Sequence, residues 1–280
     1  MTVNFYPLMD RIPFLILIPT VMALVALPAA IGFWLGRRGA GREGSKPDQT
    51  LGTIVGATLG LLAFMLAFTF GSAASRYETR RQLVMDEANA VATTYRRARL
   101  LPDPHRAEAQ QLLREYVDLR LAAAADPTQL PTAIGRSEEL QSQLWQHALA
   151  VAAKDSTSWT AAWFIESLTN VFELHARRIG AGMRNRVPTT VWLALGLIIV
   201  LSMSAMGYQA GLAGGWRVFP AIVLVVSFAT VMSLIADLDR PQQGLITVSQ
   251  AALTDVQKAM NKDMEASPTE VNEAAKGFNP

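Results

Sequence analysis

Apolar residues gather into four uncharged blocks along this chain. They run from Ile12 to about Leu35, from Leu51 to about Gly71, from Val187 to about Tyr208 and from Val218 to about Ala236. A helix needs about 20 apolar residues to cross a bilayer core, and each block approaches or exceeds that length. Pro13, Pro19 and Pro28 fall inside the first block. Spanning helices tolerate proline when neighbours take up the freed backbone groups. The first block is longer than the apolar region of a signal peptide. Gly36-Arg37-Arg38 follows it in place of a small-residue cleavage site, so it reads as an uncleaved span. Pro188 opens the third block where a helix accepts proline, and Asp237-Leu238-Asp239-Arg240-Pro241 closes the fourth. Gln209 to Gly215 is a short glycine-rich turn.

Between the second and third blocks the pattern turns amphipathic. The second helix continues without a breaker to about Leu100, with Tyr77, Val84, Ala88, Val91 and Tyr95 on one stripe. Pro102 and Pro104 end it. Asp103 is placed to cap a helix whose apolar face is Leu112, Leu113, Tyr116 and Val117. Residues 126–131 read as a loop, and Ser137-Glu138-Glu139 as the next N-cap, ahead of Leu140, Leu144, Ala148 and Val151. A further helix begins near Ser156 and carries Trp159, Trp163, Leu168, Val171, Phe172 and Ile179. No stretch alternates with period two. The expected fold is all-α: residues 1–72 hold spans one and two, 73–186 form an inserted helical extramembrane domain, 187–236 hold spans three and four, and 237–280 hold a C-terminal helix and a disordered tail. That helix covers about Ser249 to Asp263 on Leu253, Val256 and Met260, with disorder from about Glu265.

Four spans place both termini and the middle domain on one side. Trp34, Tyr208 and Trp216 then share the opposite interface, as an aromatic belt predicts. The domain side carries Arg11, Arg76, Arg80, Arg81, Arg177, Arg178, Arg184, Arg186 and Arg240, against Arg37, Arg38, Arg42, Lys46 and Arg217 on the other. By the positive-inside rule this balance puts the domain and termini in the cytoplasm and the spans in the plasma (inner) membrane, whereas the charge step across the first span alone points the other way.

Composition agrees with a membrane chain: 51% of the residues are apolar and only 17% charged, against roughly 25% in soluble domains. A net charge of +2 implies no nucleic-acid partner. Without cysteine there is no disulfide, thiol nucleophile or thiolate metal site. His105, His147 and His175 are scattered, and metal-protease, nucleophile-elbow, P-loop and dinucleotide motifs are missing, so neither an enzyme nor a cofactor is expected.

Gly52, Gly56 and Gly60 repeat at four-residue spacing in span two. Such a stripe lets helix backbones approach closely, either within one chain or as a seam between subunits. Phe64 and Phe68 continue that face, as a lipid-facing or core pair or as a hydrophobic constriction. No charge lies deep in a span, which argues against proton-coupled transport but leaves a passive pore lined by Thr53, Thr58, Thr69 and Ser72. Arg76, Arg80 and Arg81 lie one to two turns beyond the membrane, and His175, Arg177 and Arg178 are placed to join them. They serve as lipid-headgroup contacts or as a vestibule that concentrates anions, with Glu87 as an internal partner. Asp237 and Asp239 are a weak candidate metal pair, since two carboxylates alone supply too few ligands.

Three stretches carry a family resemblance: Leu62 to Phe68 continuing through Ser75 to Arg81 and Glu87 to Ala90; Leu174 to Arg178 with Arg186-Val187-Pro188 and Trp192; and Leu238 to Gly244. Each motif is weak alone. Their order and their placement at membrane boundaries resemble the bestrophin-like membrane proteins, a family distantly similar to the bestrophins. Bestrophins are ring-shaped anion channels whose second span lines the pore. The resemblance therefore implies a homo-oligomeric pore for small ions in a lipid bilayer, with span two lining it. The rival reading is a membrane-anchored sensor or interaction protein that uses the helical domain.

Overall fold

The computed structural model describes residues 14–40, 49–155, 157–183, 185–213, 218–241 and 244–276. Arg11, Pro13, Arg42, Lys46, Ser156, Arg184, Trp216 and Arg217, all used in the sequence reading, lie outside them. Among the described residues the chain is helical, with no strand. The helices are α1 (Phe14–Gly39), α2 (Gln49–Ala98), α3 (His105–Ala125), α4 (Leu130–Lys154), α5 (Trp159–Met183), α6 (Thr189–Leu212), α7 (Val218–Asp239) and α8 (Ala251–Lys276). The helices α1, α2, α6 and α7 are each long and apolar enough to cross a membrane. Only 17% to 39% of their most apolar windows is buried against the chain, so most of that apolar surface faces outward, as lipid allows and water does not.

Packing divides the chain into two compact units. One comprises Met1–Glu78 and Asn185–Thr247, the other Thr79–Arg184 and Val248–Pro280. The first unit is held by α1 against α6. Cβ atoms added to Gly32 and Gly36 would lie 2.1 Å and 2.2 Å from the carbonyl oxygens of Ser204 and Tyr208. Added to Gly207 and Gly211, they would lie 2.0 Å and 2.4 Å from those of Ala29 and Phe33. Two glycine pairs at four-residue spacing thus bring two backbones together where lipid offers no hydrophobic drive. A Cβ on Gly39 would meet the Tyr208 hydroxyl at 3.6 Å, so Tyr208 and the end of α1 share one end of the unit. There the Arg38 guanidinium lies 3.4 Å over the exposed Trp34 ring.

The second unit has a soluble-type core. Leu113, Tyr116 and Val117 of α3, Leu140, Leu144, Ala148 and Val151 of α4, and Phe164, Leu168 and Val171 of α5 are buried together. So are Val91 and Tyr95 of α2 and Met260 of α8. The Val, Leu, Phe and Met side chains among these each contribute about 1.5–3 kcal/mol on burial.

Several local expectations change. Asp103 does not cap α3; it pairs with Arg106, and the helix opens at His105 behind Pro104 without a side-chain cap. Ser137 lies buried inside α4 and donates to the Ala133 carbonyl at 2.7 Å. That helix starts at Leu130, ahead of Ser137, because Pro131 sits at the start of a helix, where proline's fixed φ is pre-organised. Residues 127–129 form a 3₁₀ turn whose N-cap is Asp126, accepting from the Thr128 N–H at 3.0 Å. Trp159 and Trp163 point outward, Trp159 at 76% exposure, because the buried stripe of α5 runs through Ala161, Phe164, Leu168 and Val171. The tail helix α8 extends past Glu265 to Lys276; Ala, Glu and Lys are strong helix formers, and polarity alone understated them. Its Leu253 and Met260 are buried in the second unit.

Candidate functional site

The glycine stripe of α2 is not covered by its own chain. Gly52 faces the Gln209 side chain, 3.0 Å from an added Cβ, but around Gly56 and Gly60 such a Cβ would meet nothing within 4 Å. Phe64 and Phe68 on the same face are 63% and 71% exposed. The opposite face of α2 is buried through Val55, Leu62, Leu66, Thr69 and Ala73. Ser202 of α6 also donates to the Thr58 carbonyl there, at 3.2 Å. Close packing within the chain therefore falls to Gly32, Gly36, Gly207 and Gly211, which have the same spacing and which the sequence reading passed over. The hydroxyls proposed as pore lining satisfy their own helix in part: Thr58 and Thr69 donate to the Val55 and Met65 carbonyls at 3.0 Å and 2.8 Å.

The cations read as one group do different things. In the first unit, Arg76 donates from Nε to Asn185 Oδ1 at 3.2 Å. In the second, Arg80 is buried, Arg81 is exposed, and Arg177 is exposed with only a 3.9 Å approach to Glu173. Arg178 is engaged, pairing with Glu87 Oε2 and donating to Gln250 Oε1 at 2.7 Å.

Glu87 is fully buried and is the centre of a charge network. It does not serve the run on its own helix: Arg80 lies seven residues away, two turns or about 10 Å along the axis. Arg178 of α5 and Arg120 of α3, the latter 3.4 Å away at Oε1, pair with it instead. Tyr116 donates to the same Oε1 at 2.5 Å. With the phenol proton committed there, the 2.9 Å contact between Tyr116 Oη and His175 Nδ1 requires His175 to carry its proton on Nδ1. Burial lowers the His175 pKa to about 4, reinforced by the Arg120 charge, so the ring is neutral at ordinary pH. Burial raises the Tyr116 pKa well above its ordinary value, with the Glu87 charge adding to the effect. One carboxylate against two guanidiniums leaves a buried excess of positive charge. Arg120 was missed in the sequence, although it sits one turn beyond Tyr116 and Val117 on an apolar face, where an arginine signals a buried partner.

Asp237 and Asp239 each accept from backbone N–H groups. Asp237 accepts from the Leu245 and Ile246 N–H groups at 3.1 Å and 2.9 Å, and Asp239 accepts from the Val187 N–H at 2.8 Å. Gly244, at φ +141°, lies against the Asp237 carboxylate, where an added Cβ would come within 2.0 Å of Oδ1. The pair thus anchors the segments that follow α7 and precede α6. A groove of about 500 Å³ opens between α2 and α8 in the second unit, lined by Asn89, Tyr95, Arg96, Asp255 and Asp263 among others.

These features define a polytopic, all-helical membrane protein with four candidate spans. The sequence matches the family described as Bestrophin-like domain over residues 23–253, and the chain belongs to that family. Its fold is similar to the crystal structure of a bacterial bestrophin homologue from Klebsiella pneumoniae, a point mutant, with a TM-score of 0.63 at 15% identity over 88% of this chain and 97% of the other. No curated protein sequence matches the chain.

Proposed function

We propose that the protein is a subunit of an oligomeric ion channel, with α2 at the seam or lining of the pore. The observation that carries this reading is the bare face of α2. Gly56 and Gly60 are left open and Phe64 and Phe68 exposed, while the other face of the same helix is buried. A small-residue stripe followed by aromatic side chains suits another copy of the helix better than isolated lipid contact. Family membership supports the same class of activity. Arg81 and Arg177 are exposed at the surface, where anions or lipid headgroups could reach them; Arg178 is half-buried and pairs with Glu87. The helical segment 73–186 is the extramembrane domain, inserted between spans two and three. Charge balance places it and the termini in the cytoplasm. Impermeant maleimide labelling of a cysteine introduced at exposed Thr128, in a chain with none of its own, tests the side; labelling from outside intact cells would reverse it.

The deciding experiment is the subunit count of the full chain in mild detergent by native mass spectrometry, followed by ion flux in liposomes. A closed ring of four or more copies is expected, and Gly56→Leu disrupts it. A normal ring and normal flux from Gly56→Leu would remove α2 from the seam. A monomer or dimer would favour the second reading, a membrane-anchored sensor, for which the groove between α2 and α8 supplies a place for a small polar ligand.

A further inference from the structure

We propose that His105, Glu108 and His147 form a binding site for a first-row transition-metal dication of the Zn²⁺ type. The three residues come from two packed helices of the second unit. His105 is the first residue of α3 and Glu108 lies one turn on, so both share a face. His147 lies on α4. The Nδ1 atoms of His105 and His147 are 3.2 Å apart, and Glu108 Oε2 is 3.2 Å from His147 Nδ1. All three ligand atoms fall within 4.8 Å of one another.

These distances fit a shared ion. Zn²⁺ bonds of about 2.0–2.1 Å in a tetrahedron set neighbouring ligand atoms roughly 3.3–3.4 Å apart. Two nitrogens 3.2 Å apart on such bonds subtend an angle of about 100°, close to tetrahedral. Proton accounting points the same way. Two neutral imidazoles directing Nδ1 at each other have room for one proton between them, and the same His147 nitrogen also faces a carboxylate oxygen. Three electron-pair donors converge with one proton to share, whereas a dication satisfies all three. Two imidazole nitrogens favour the Zn²⁺ class over Mg²⁺ or Ca²⁺, which prefer oxygen. The positive end of α3 opposes a cation, and the Glu108 charge offsets it. With the His147 and Glu108 side chains 24% and 49% exposed, solvent reaches the site and supplies the remaining ligand. The ion would clip the first turn of α3 to the second half of α4.

The test uses the full chain in detergent, without a histidine tag, stripped with chelator and dialysed against Zn²⁺. Metal is counted by plasma mass spectrometry, and Co²⁺ substitution reports geometry through its visible bands. One Zn²⁺ per chain is expected, with tetrahedral-type Co²⁺ bands. In the His105→Ala/His147→Ala double variant binding is lost, and in Glu108→Gln it weakens by about tenfold or more. The ligands lie near the surface, so circular dichroism should show both variants folded; should the double variant misfold, Glu108→Gln alone carries the test. His175→Gln is expected to bind as the parent does. No retained Zn²⁺ in the parent, undiminished binding in the double variant or in Glu108→Gln, or loss in His175→Gln alone would overturn the site.

Discussion

The two units solve opposite packing problems. In the first, large apolar side chains such as Phe64, Phe68, Leu193 and Leu197 face outward, while Gly32, Gly36, Gly207 and Gly211 face inward to bring backbones together, beside a buried set that includes Leu62, Leu195, Ile199 and Met203. In the second, Tyr116, Leu140, Leu144, Phe164 and Leu168 are buried. Where lipid surrounds a helix, burying a leucine gains little, so stability comes from close backbone approach and dispersion. Where water surrounds it, area removed from solvent dominates. The treatment of charge differs as well. The first unit satisfies Asp237 and Asp239 with backbone N–H groups at a helix end. The second buries a carboxylate with two arginines in the middle of its core.

The sharpest way to break this comparison is Gly207→Leu. The side chain would have to displace the Ala29 carbonyl, which is backbone and cannot yield cheaply. The expected outcome is loss of the folded species on size exclusion, whereas the same change at Gly60, which faces open space, leaves the isolated fold intact. Equal behaviour of the two variants would show that α1 and α6 do not depend on their glycines.

Next in size is Glu87→Ala. Removing one partner leaves Arg120 and Arg178 buried without compensation, a loss of about 3–5 kcal/mol, read as a fall in melting temperature. A change below about 1 kcal/mol would mean that the network is solvated.

A smaller effect follows from pH. The groups around His175 are Tyr116 and Arg120 from α3, Glu87 from α2 and Arg178 from its own helix. Its folded pKa of about 4 lies below the free value of about 6.5, so in that window the unfolded chain binds a proton that the folded chain does not. The contribution is complete above about pH 6.5 and declines as pH falls toward 4, by up to about 3 kcal/mol. Protonation would also add an N–H at Nε2, which is buried and has no hydrogen-bond partner among the described residues. In His175→Gln the melting temperature should lose this part of its acid dependence; an unchanged pH profile would mean that the ring titrates freely.

What could be read from the chain, and what could not, follows the range of the interactions. The spacing of Tyr116 and Val117 is enough to put them on a buried face, because helical periodicity is written in neighbouring residues. Arg120 lies on the same face and was overlooked, because its role depends on Glu87, 33 positions earlier. The stripe at Gly52, Gly56 and Gly60 and the pairs at Gly32/Gly36 and Gly207/Gly211 look alike in sequence. Only the fold separates the stripe left open from the pairs that carry the α1–α6 contact.

By itself, the sequence determined the four apolar helices, the all-helical class and the amphipathic stripes, since length, hydrophobicity and period are local properties. Tertiary structure alone decided which glycines touch backbone, which arginines are neutralised and that His105 meets His147 across 42 positions of chain. Those outcomes depend on distances between segments remote in sequence, and no local pattern encodes them.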